Sequence, residues 1–476
     1  MKNSKLILLL KTYDVADWRR FGEFLATPFF NKKKELIPFY RYLKKIAPEF
    51  RDEKLDKTVL FQKIYPNQTF DQRLLGDIIH YLLRQAEHFL KIIRLENKTH
   101  TSNLLILEEL LARKLEKNYR LYRKKAQGII DHKKQKDESY YLFQYQLSKI
   151  DYQHFIAQKK RKRDASLQIS LNQLDEFYFF NKLKSSCEIL VNKEIIAEED
   201  FELSFTEEVV NYLSQRMGKL SPIIKIYLIA YKLVSQKNAD EHFLQLTELL
   251  DRYNEVMTSD EKNNLYLFAI NYCVAQMKQN NQVNYYVTQC LALYMKGIYQ
   301  KFLYQDGYLS PWTFKNVVKL GFNLKRFEWT ENFIQEYHAH LEDQFQEDAY
   351  NYNLADLHYR KQNYSDALTH LMQVQFTDIF YNLGAKAMLI KIYYETDEEE
   401  ALLSMIASFT IFLKRNKKIA PNFRQTYLNF VSLVYKILKM KAHNVLTIKE
   451  TIATTNPLTD RRWLLKVHEE YGKKIR

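Results

Sequence analysis

The sequence predicts an all-α protein, a solenoid of helical-hairpin repeats that follows an N-terminal helical module. Three observations predict it. The 476 residues include only 9 Gly and 8 Pro; glycine at roughly 2% against a usual ~7% leaves few turns, hence long helices rather than many short strands. Apolar residues recur at helical spacing, and strand-like alternation is absent over any useful length. Near the C-terminus, Leu354, Tyr359, Ala367 and Leu371 return 34 residues later as Met388, Tyr393, Ala401 and Met405.

The elements follow in order. Asp14 can cap a helix with Trp18, Phe21, Phe24 and Leu25 on one face, and Thr27-Pro28 stops it. Pro38 and Pro48 punctuate short segments. Asp56 can cap the segment of Val59, Leu60 and Ile64, which ends at Tyr65-Pro66. From about Phe70 a longer helix carries Leu74, Ile78, Leu82, Ala86 and Phe89, the stripe of a helix packed on one side. No proline lies between Pro66 and Pro222. Within that stretch Tyr141, Tyr145, Ser148, Tyr152 and Phe155 form a helical seam. Ser221-Pro222 and Ser310-Pro311 each read as an N-cap followed by proline in the first turn, where its missing N–H costs nothing. These elements divide into a helical module at 1–100, a divergent hairpin region at 101–300, and repeats with C-terminal helices at 301–476.

The repeat has a weaker upstream copy, Val317, Phe322, Thr330 and Ile334, offset by 37 residues. A small residue inside a helical hairpin at this period lets two helices approach closely while larger neighbours bury each hairpin against the next. The stretch YNLADLHYRKQNYSDALTHLMQV resembles a tetratricopeptide unit. It departs at His358, where a tyrosine is usual, and at Gln362-Asn363, where the turn lacks its usual glycine. The whole chain also resembles an uncharacterised bacterial family of long helical proteins. The resemblance rests on TPFFNKKKELIPF (27–39), DGYLSPWTFKNVVKLGF (306–322), AYNYNLADLHY (349–359) and TNPLTDRRWLL (455–465). It implies a fold and a bacterial cytoplasmic setting, and it implies no activity.

Composition bounds the rest. A hydrophobic fraction of 46% supports a sizeable core. The net charge is +15, unevenly spread. Residues 1–163 carry 36 basic and 19 acidic residues, a net of +17. Residues 164–413 carry 21 and 34, a net of −13, and residues 414–476 carry 15 and 4, a net of +11. Such a pattern points to localised basic patches rather than a uniform coat. Cys187, Cys273 and Cys290 are far apart and odd in number, which suits a reducing compartment. The apolar run after Met1 stops at Lys11, too short for a secretory leader, and no stretch is long enough to span a membrane. A cytoplasmic location is expected.

Familiar chemistry is excluded by spacing. Gly297 and Gly307 are the closest glycines, so a phosphate loop, a dinucleotide fingerprint and a nucleophile elbow are all out of reach. No HExxH occurs. His338 and His340 face different ways on a helix, and His80 and His88 have no evident third ligand. The sequence therefore predicts no enzyme, no cofactor, no metal and no catalytic residue. Two partner readings follow. In tetratricopeptide proteins the first helix of each hairpin lines the concave surface. That resemblance places Lys315, Lys319, Phe322 and Asn323 from the weaker copy on this surface. The next unit adds Tyr352, Asp356, Tyr359 and Arg360, and the third adds Lys386, Ile390, Tyr393 and Tyr394. Cations and rings there suit an extended protein segment with carboxylates and apolar anchors, the work of a scaffold or adaptor. The alternative is RNA or DNA binding by the basic N-terminal third, through Lys159, Lys160, Arg161, Lys162 and Arg163 with Lys32-Lys33-Lys34 and Arg123-Lys124-Lys125 nearby.

Overall fold

In the computed structural model, which describes residues 3–159, 164–195, 201–279, 283–374, 379–417, 419–441 and 445–475, several helices begin where a short polar side chain satisfies their free amides. Asp14 accepts from the Asp17 amide at 2.7 Å, and Asp17 reaches back to the Asp14 amide, a capping box on Val15–Ala26. Asp56 accepts from the amides of Thr58 and Val59 ahead of Lys57–Ile64. Asp71 does the same for the 26-residue helix Gln72–Asn97. Ser310 accepts from Trp312, with Pro311 opening Pro311–Asn323. The described residues form 23 α-helices and one two-stranded hairpin, Tyr304–Gln305 with Tyr308–Leu309. Its turn, Asp306-Gly307, is left-handed at both residues (φ 49° and 88°), which is why Asp-Gly stands there.

The chain divides into two compact units, residues 1–178 and 179–476, a division that does not coincide with the boundaries expected at 100 and 300. In the first unit one apolar cluster runs from Leu6 to Phe89 and a second from Leu104 to Ile150. The first is aromatic: Phe21 is fully buried, with the rings of Phe89, Tyr13, Tyr40 and Phe24 5.2–6.3 Å away. In the helix Glu138–Ala157 the core side is Phe143, Leu147 and Ile150. Tyr145, Tyr152 and Phe155, expected in the seam with Tyr141 and Ser148, are half-buried at its flank.

In the second unit successive helices pack in sequence order. Pro311–Asn323 packs on Phe327–Tyr337 and on Asp343–Arg360. Asp343–Arg360 packs on Tyr364–Gln373 and on Ile379–Glu395, which packs in turn on Glu399–Arg415 and Pro421–Leu438. The last of these meets the C-terminal helix Arg461–Ile475.

The three hairpins between 311 and 415 turn in one way. Lys325, Gln362 and Asp397 all have a left-handed backbone, at φ 55°, 63° and 55°. The following amides, of Arg326, Asn363 and Glu398, reach back to the carbonyls of Gly321, His358 and Tyr393. This is a Schellman ending, made without glycine. Lys114 makes the same turn in the first unit, where the Leu115 amide reaches the Leu110 carbonyl.

The turn corrects the alignment of the three hairpins. Its left-handed residues are 37 and then 35 apart, so the third unit is offset by 35 from the turn onward, not by 34. Burial agrees: Thr330, Ala367 and Leu402 are 0–2% exposed, whereas Ala401, aligned by identity, is half-buried. A left-handed L-residue costs about 1–2 kcal/mol, and glycine returns part of that gain as chain entropy. Gln362→Gly should therefore stabilise its hairpin by about 0.5–1 kcal/mol. Amide exchange of residues 364–373 should slow several-fold; acceleration would contradict a left-handed Gln362.

Candidate partner-binding face

Counting back from the left-handed turn residue brings equivalent side chains of the three first helices together. Six residues before it stand Lys319, Asp356 and Lys391; three before, Phe322, Tyr359 and Tyr394; two before, Asn323, Arg360 and Glu395. Lys319 and Asn323 are exposed. Lys315 is half-buried, its ammonium 4.8 Å from the Tyr352 ring centre and 5.1 Å from that of Tyr381. Tyr352 and Asp356 are buried, each 7% exposed. Asp356 accepts from Arg360 Nε at 2.8 Å, and the same guanidinium lies over the Phe322 ring at 4.7 Å. Such cation–π contacts hold a long side chain flat against apolar surface.

Two residues missed by the identity alignment complete this face. Lys391 Nζ lies 5.0 Å from the Tyr359 ring centre and donates to Asp460 Oδ1 at 2.9 Å. Glu395 accepts from Trp463 Nε1 at 3.0 Å. Lys386, expected on the face, lies instead over the Phe412 ring of its own hairpin partner, and burial lowers its pKa. Ile390, also expected there, is fully buried. Tyr393 is half-buried against the C-terminal apolar cluster. Tyr394 packs edge-on to Trp463 at 5.6 Å; burial, then the charges of Glu470 and Glu395, push its hydroxyl up to about 12. The signal that finds Lys391 and Glu395 is the turn at Thr396-Asp397-Glu398, not the Tyr and Ala identities.

The electrostatics centre on Asp460. Burial disfavours its charge, but the Lys391 ammonium and hydrogen bond, the Thr459 hydroxyl and the Lys319 charge together hold its carboxyl below the usual range. Lys319, Lys391 and Asp460 thus form one interacting group spanning Pro311–Asn323, Ile379–Glu395 and the segment before the last helix.

Lys160, Arg161, Lys162 and Arg163 lie outside the described residues, and Lys159 is exposed. Arg123 is committed to a bidentate pair with Asp151, at 2.7–2.9 Å, where Tyr119 also donates. Lys33 lies over the Tyr81 ring at 4.7 Å and Lys125 over Tyr122 at 4.6 Å. Lys32, Lys34 and Lys124 are exposed.

Other chemistry finds little purchase among the described residues. The three thiols are buried and unlinked, and burial raises each, Cys290 to about 12, so they stay protonated. No group of three or more His, Cys, Asp or Glu is placed to hold a metal ion. A cavity of about 260 Å³ lined by Leu190, Leu233, Phe268, Asn271 and Tyr272 has Lys237 as its one charged neighbour. Nearby, the exposed carboxylate of Asp240 accepts from the hydroxyls of Tyr272 and Tyr286 at 2.6 and 2.5 Å, which accounts for all three groups. Among the described residues no helix is long and apolar enough to cross a membrane. No family model, curated protein or solved structure matches the chain.

Proposed function

We propose that this chain is a non-catalytic scaffold or adaptor: its second unit is a tetratricopeptide-like array of hairpins whose first helices bind an extended protein segment. The observation that carries this is the repeated placement of Lys319/Asp356/Lys391 and Phe322/Tyr359/Tyr394 by one recurring turn. Stacked hairpins turn such repeated positions into a continuous surface, each unit adding a small rotation. Rings supply contact area at low entropic cost, and the cations Lys315, Lys319 and Lys391 favour a segment with carboxylates. Buried, unlinked thiols support a reducing, cytoplasmic setting.

The test uses two exposed members of the face, Lys319 and Asn323. Full-length protein is used to capture partners from its native host, beside a Lys319→Glu, Asn323→Glu variant. A stoichiometric protein held by the wild type should be lost from the variant, at an unchanged melting temperature. Equal capture by both would remove the site from this face. A second reading, nucleic-acid binding, has the +17 of residues 1–163 behind it. It wins if the purified protein carries nuclease-sensitive absorbance at 260 nm and its affinity falls by roughly three decades between 50 and 200 mM salt.

A further inference from the structure

We propose that the middle hairpin, Asp343–Arg360 with Tyr364–Gln373, is a pH-responsive joint: a stacked pair of histidines, His358 and His370, keeps it closed near neutral pH and loosens it in mild acid. The inference does not depend on which ligand the candidate face takes. It gives a role to His358, the residue at which the resemblance to a tetratricopeptide unit breaks.

The left-handed residues Lys325, Gln362 and Asp397 align the three hairpins position by position. Eight residues after the turn stand Phe333, His370 and Met405; four after, Trp329, Asp366 and Ala401. Four before it stand Gly321, His358 and Tyr393; eleven before, Phe314, Asn351 and Lys386. In the first hairpin these positions pack as hydrocarbon: Phe314 and Trp329 stack on Phe333 at 5.4 and 5.5 Å. In the middle hairpin the same positions are polar. His358 and His370 lie face to face, ring centres 5.5 Å apart and planes 19° apart. His370 Nδ1 donates to Oδ1 of the buried Asn351 at 3.0 Å, so its Nε2 is the atom that takes up a proton. His358 Nδ1 is buried and has no hydrogen-bond partner among the described residues, with Asp366 Oδ2 3.5 Å away. Packing does not call for this pair. Gly321 with Phe333 and Tyr393 with Met405 serve the same positions on either side, and a buried nitrogen without a partner costs stability.

Few charges surround the pair. Across the hairpin, Glu347 accepts from Asn351 Nδ2, on the side of the amide away from His370. His338 lies beyond the Tyr350 ring, 4.7 Å from it, and Tyr350 is 6.5 Å from His370. Ile379–Glu395 also packs on Tyr364–Gln373, but its charged side chains are engaged elsewhere: Lys386 over Phe412, Lys391 at Asp460 and Glu395 at Trp463. The groups that act on His370 are His358 and Asp366.

The two rings titrate as a pair. A proton on His358 faces the Asp366 carboxylate. A second proton must enter His370, where burial opposes it first and the His358 charge next; Asp366 offsets these only in part, and the His370 pKa is lowered. In the open hairpin both imidazoles take protons at their usual pKa of about 6.5. The open form therefore binds more protons as pH falls through that value. Stability that is present above about pH 6.5 is lost below it. Asp343–Arg360 carries Asp356, Tyr359 and Arg360, so the loosening falls on the middle of the candidate face.

The test measures amide-exchange protection in full-length protein at about pH 7.5 and about pH 5.5, each amide corrected for its intrinsic rate. Protection of Tyr364–Gln373, taken relative to Phe327–Tyr337 in the same molecule, should fall by at least about threefold in acid. His370→Phe, which copies Phe333 of the first hairpin, should abolish the fall. His358→Tyr copies Tyr393 of the third hairpin, keeps the Asn351 hydrogen bond and should shrink the fall, which covers the case of a His370→Phe chain that does not fold. Nuclear magnetic resonance of wild-type protein needs no variant: the His370 ring should titrate below about 6.5. A relative protection that does not change with pH, a His370 ring that titrates at or above its usual value, or a fall undiminished in the folded variants would each overturn the joint.

Discussion

Phe21→Ala should lower the stability of the first apolar cluster by about 3–5 kcal/mol, the usual cost of removing a buried phenylalanine ring. Phe21 is fully buried and stands at the centre of the N-terminal rings, within 5.2 Å of Phe89 and 5.7 Å of Tyr40. These contacts join Val15–Ala26 to Leu36–Ile46 and to the long helix Gln72–Asn97. The surrounding groups resist collapse into the gap. Tyr40 donates to the Trp18 carbonyl and Tyr13 to the Ala86 carbonyl at 3.4 Å, so neither ring can slide without breaking a buried hydrogen bond. The cavity therefore stays open and the cost lies toward the upper end. Amide exchange over residues 75–89 should accelerate by roughly three decades or more. A change below tenfold would mean that the cluster repacks and that Phe21 is not its keystone.

Local rules wrote most of the first hundred residues into the sequence. Asp14, Asp56 and Asp71 start helices because a carboxylate reaches the free amides, and Thr27-Pro28 and Tyr65-Pro66 end them because proline cannot continue the ladder. The face of Glu138–Ala157 was less legible. Tyrosines recur along that helix, and spacing alone does not separate the half-buried rings of Tyr145 and Tyr152 from Phe143, Leu147 and Ile150 in the core. The third hairpin's alignment by residue identity is off by one residue for a similar reason. Tyr393 and Tyr394 are adjacent, either can match Tyr359, and the identity of Ala401 with Ala367 favoured the wrong one. The left-handed turn decides the matter, but its residues, Lys325, Gln362 and Asp397, share no side-chain chemistry. A turn set by backbone hydrogen bonds leaves little trace when glycine is not used. The candidate site suffered most from this slip, since Lys391 and Glu395 enter the face only in the corrected register. Their partners, Asp460 and Trp463, are contacts between distant segments that no local pattern announces.

Gly321→Ala should destabilise the first of the three hairpins by about 1–3 kcal/mol, although alanine is ordinarily the better helix former by about 1 kcal/mol. Gly321 lies inside Pro311–Asn323, where nothing in its backbone calls for glycine; space does. A Cβ there would overlap Thr330 Oγ1 and come within 3.1 Å of the Trp329 ring. Thr330 occupies the position held by Ala367 in the next unit, is fully buried, and donates its hydroxyl to the Arg326 carbonyl at 2.7 Å. The larger residue on one helix is thus matched by the absence of a side chain on the other. Two stacked ring pairs, Trp329 on Phe333 at 5.5 Å and Phe314 on Phe333 at 5.4 Å, pack beside the contact and limit how far it can yield. If this complementarity sets the helix separation, Thr330→Ala should rescue Gly321→Ala, and the double variant should be more stable than the glycine substitution alone. A double-mutant cycle read by amide exchange over 311–337 should give a coupling of about 1 kcal/mol or more. Additive effects would show that the added methyl group is accommodated by a shift of the whole helix, and would separate the hairpin's close approach from the Gly321–Thr330 pair.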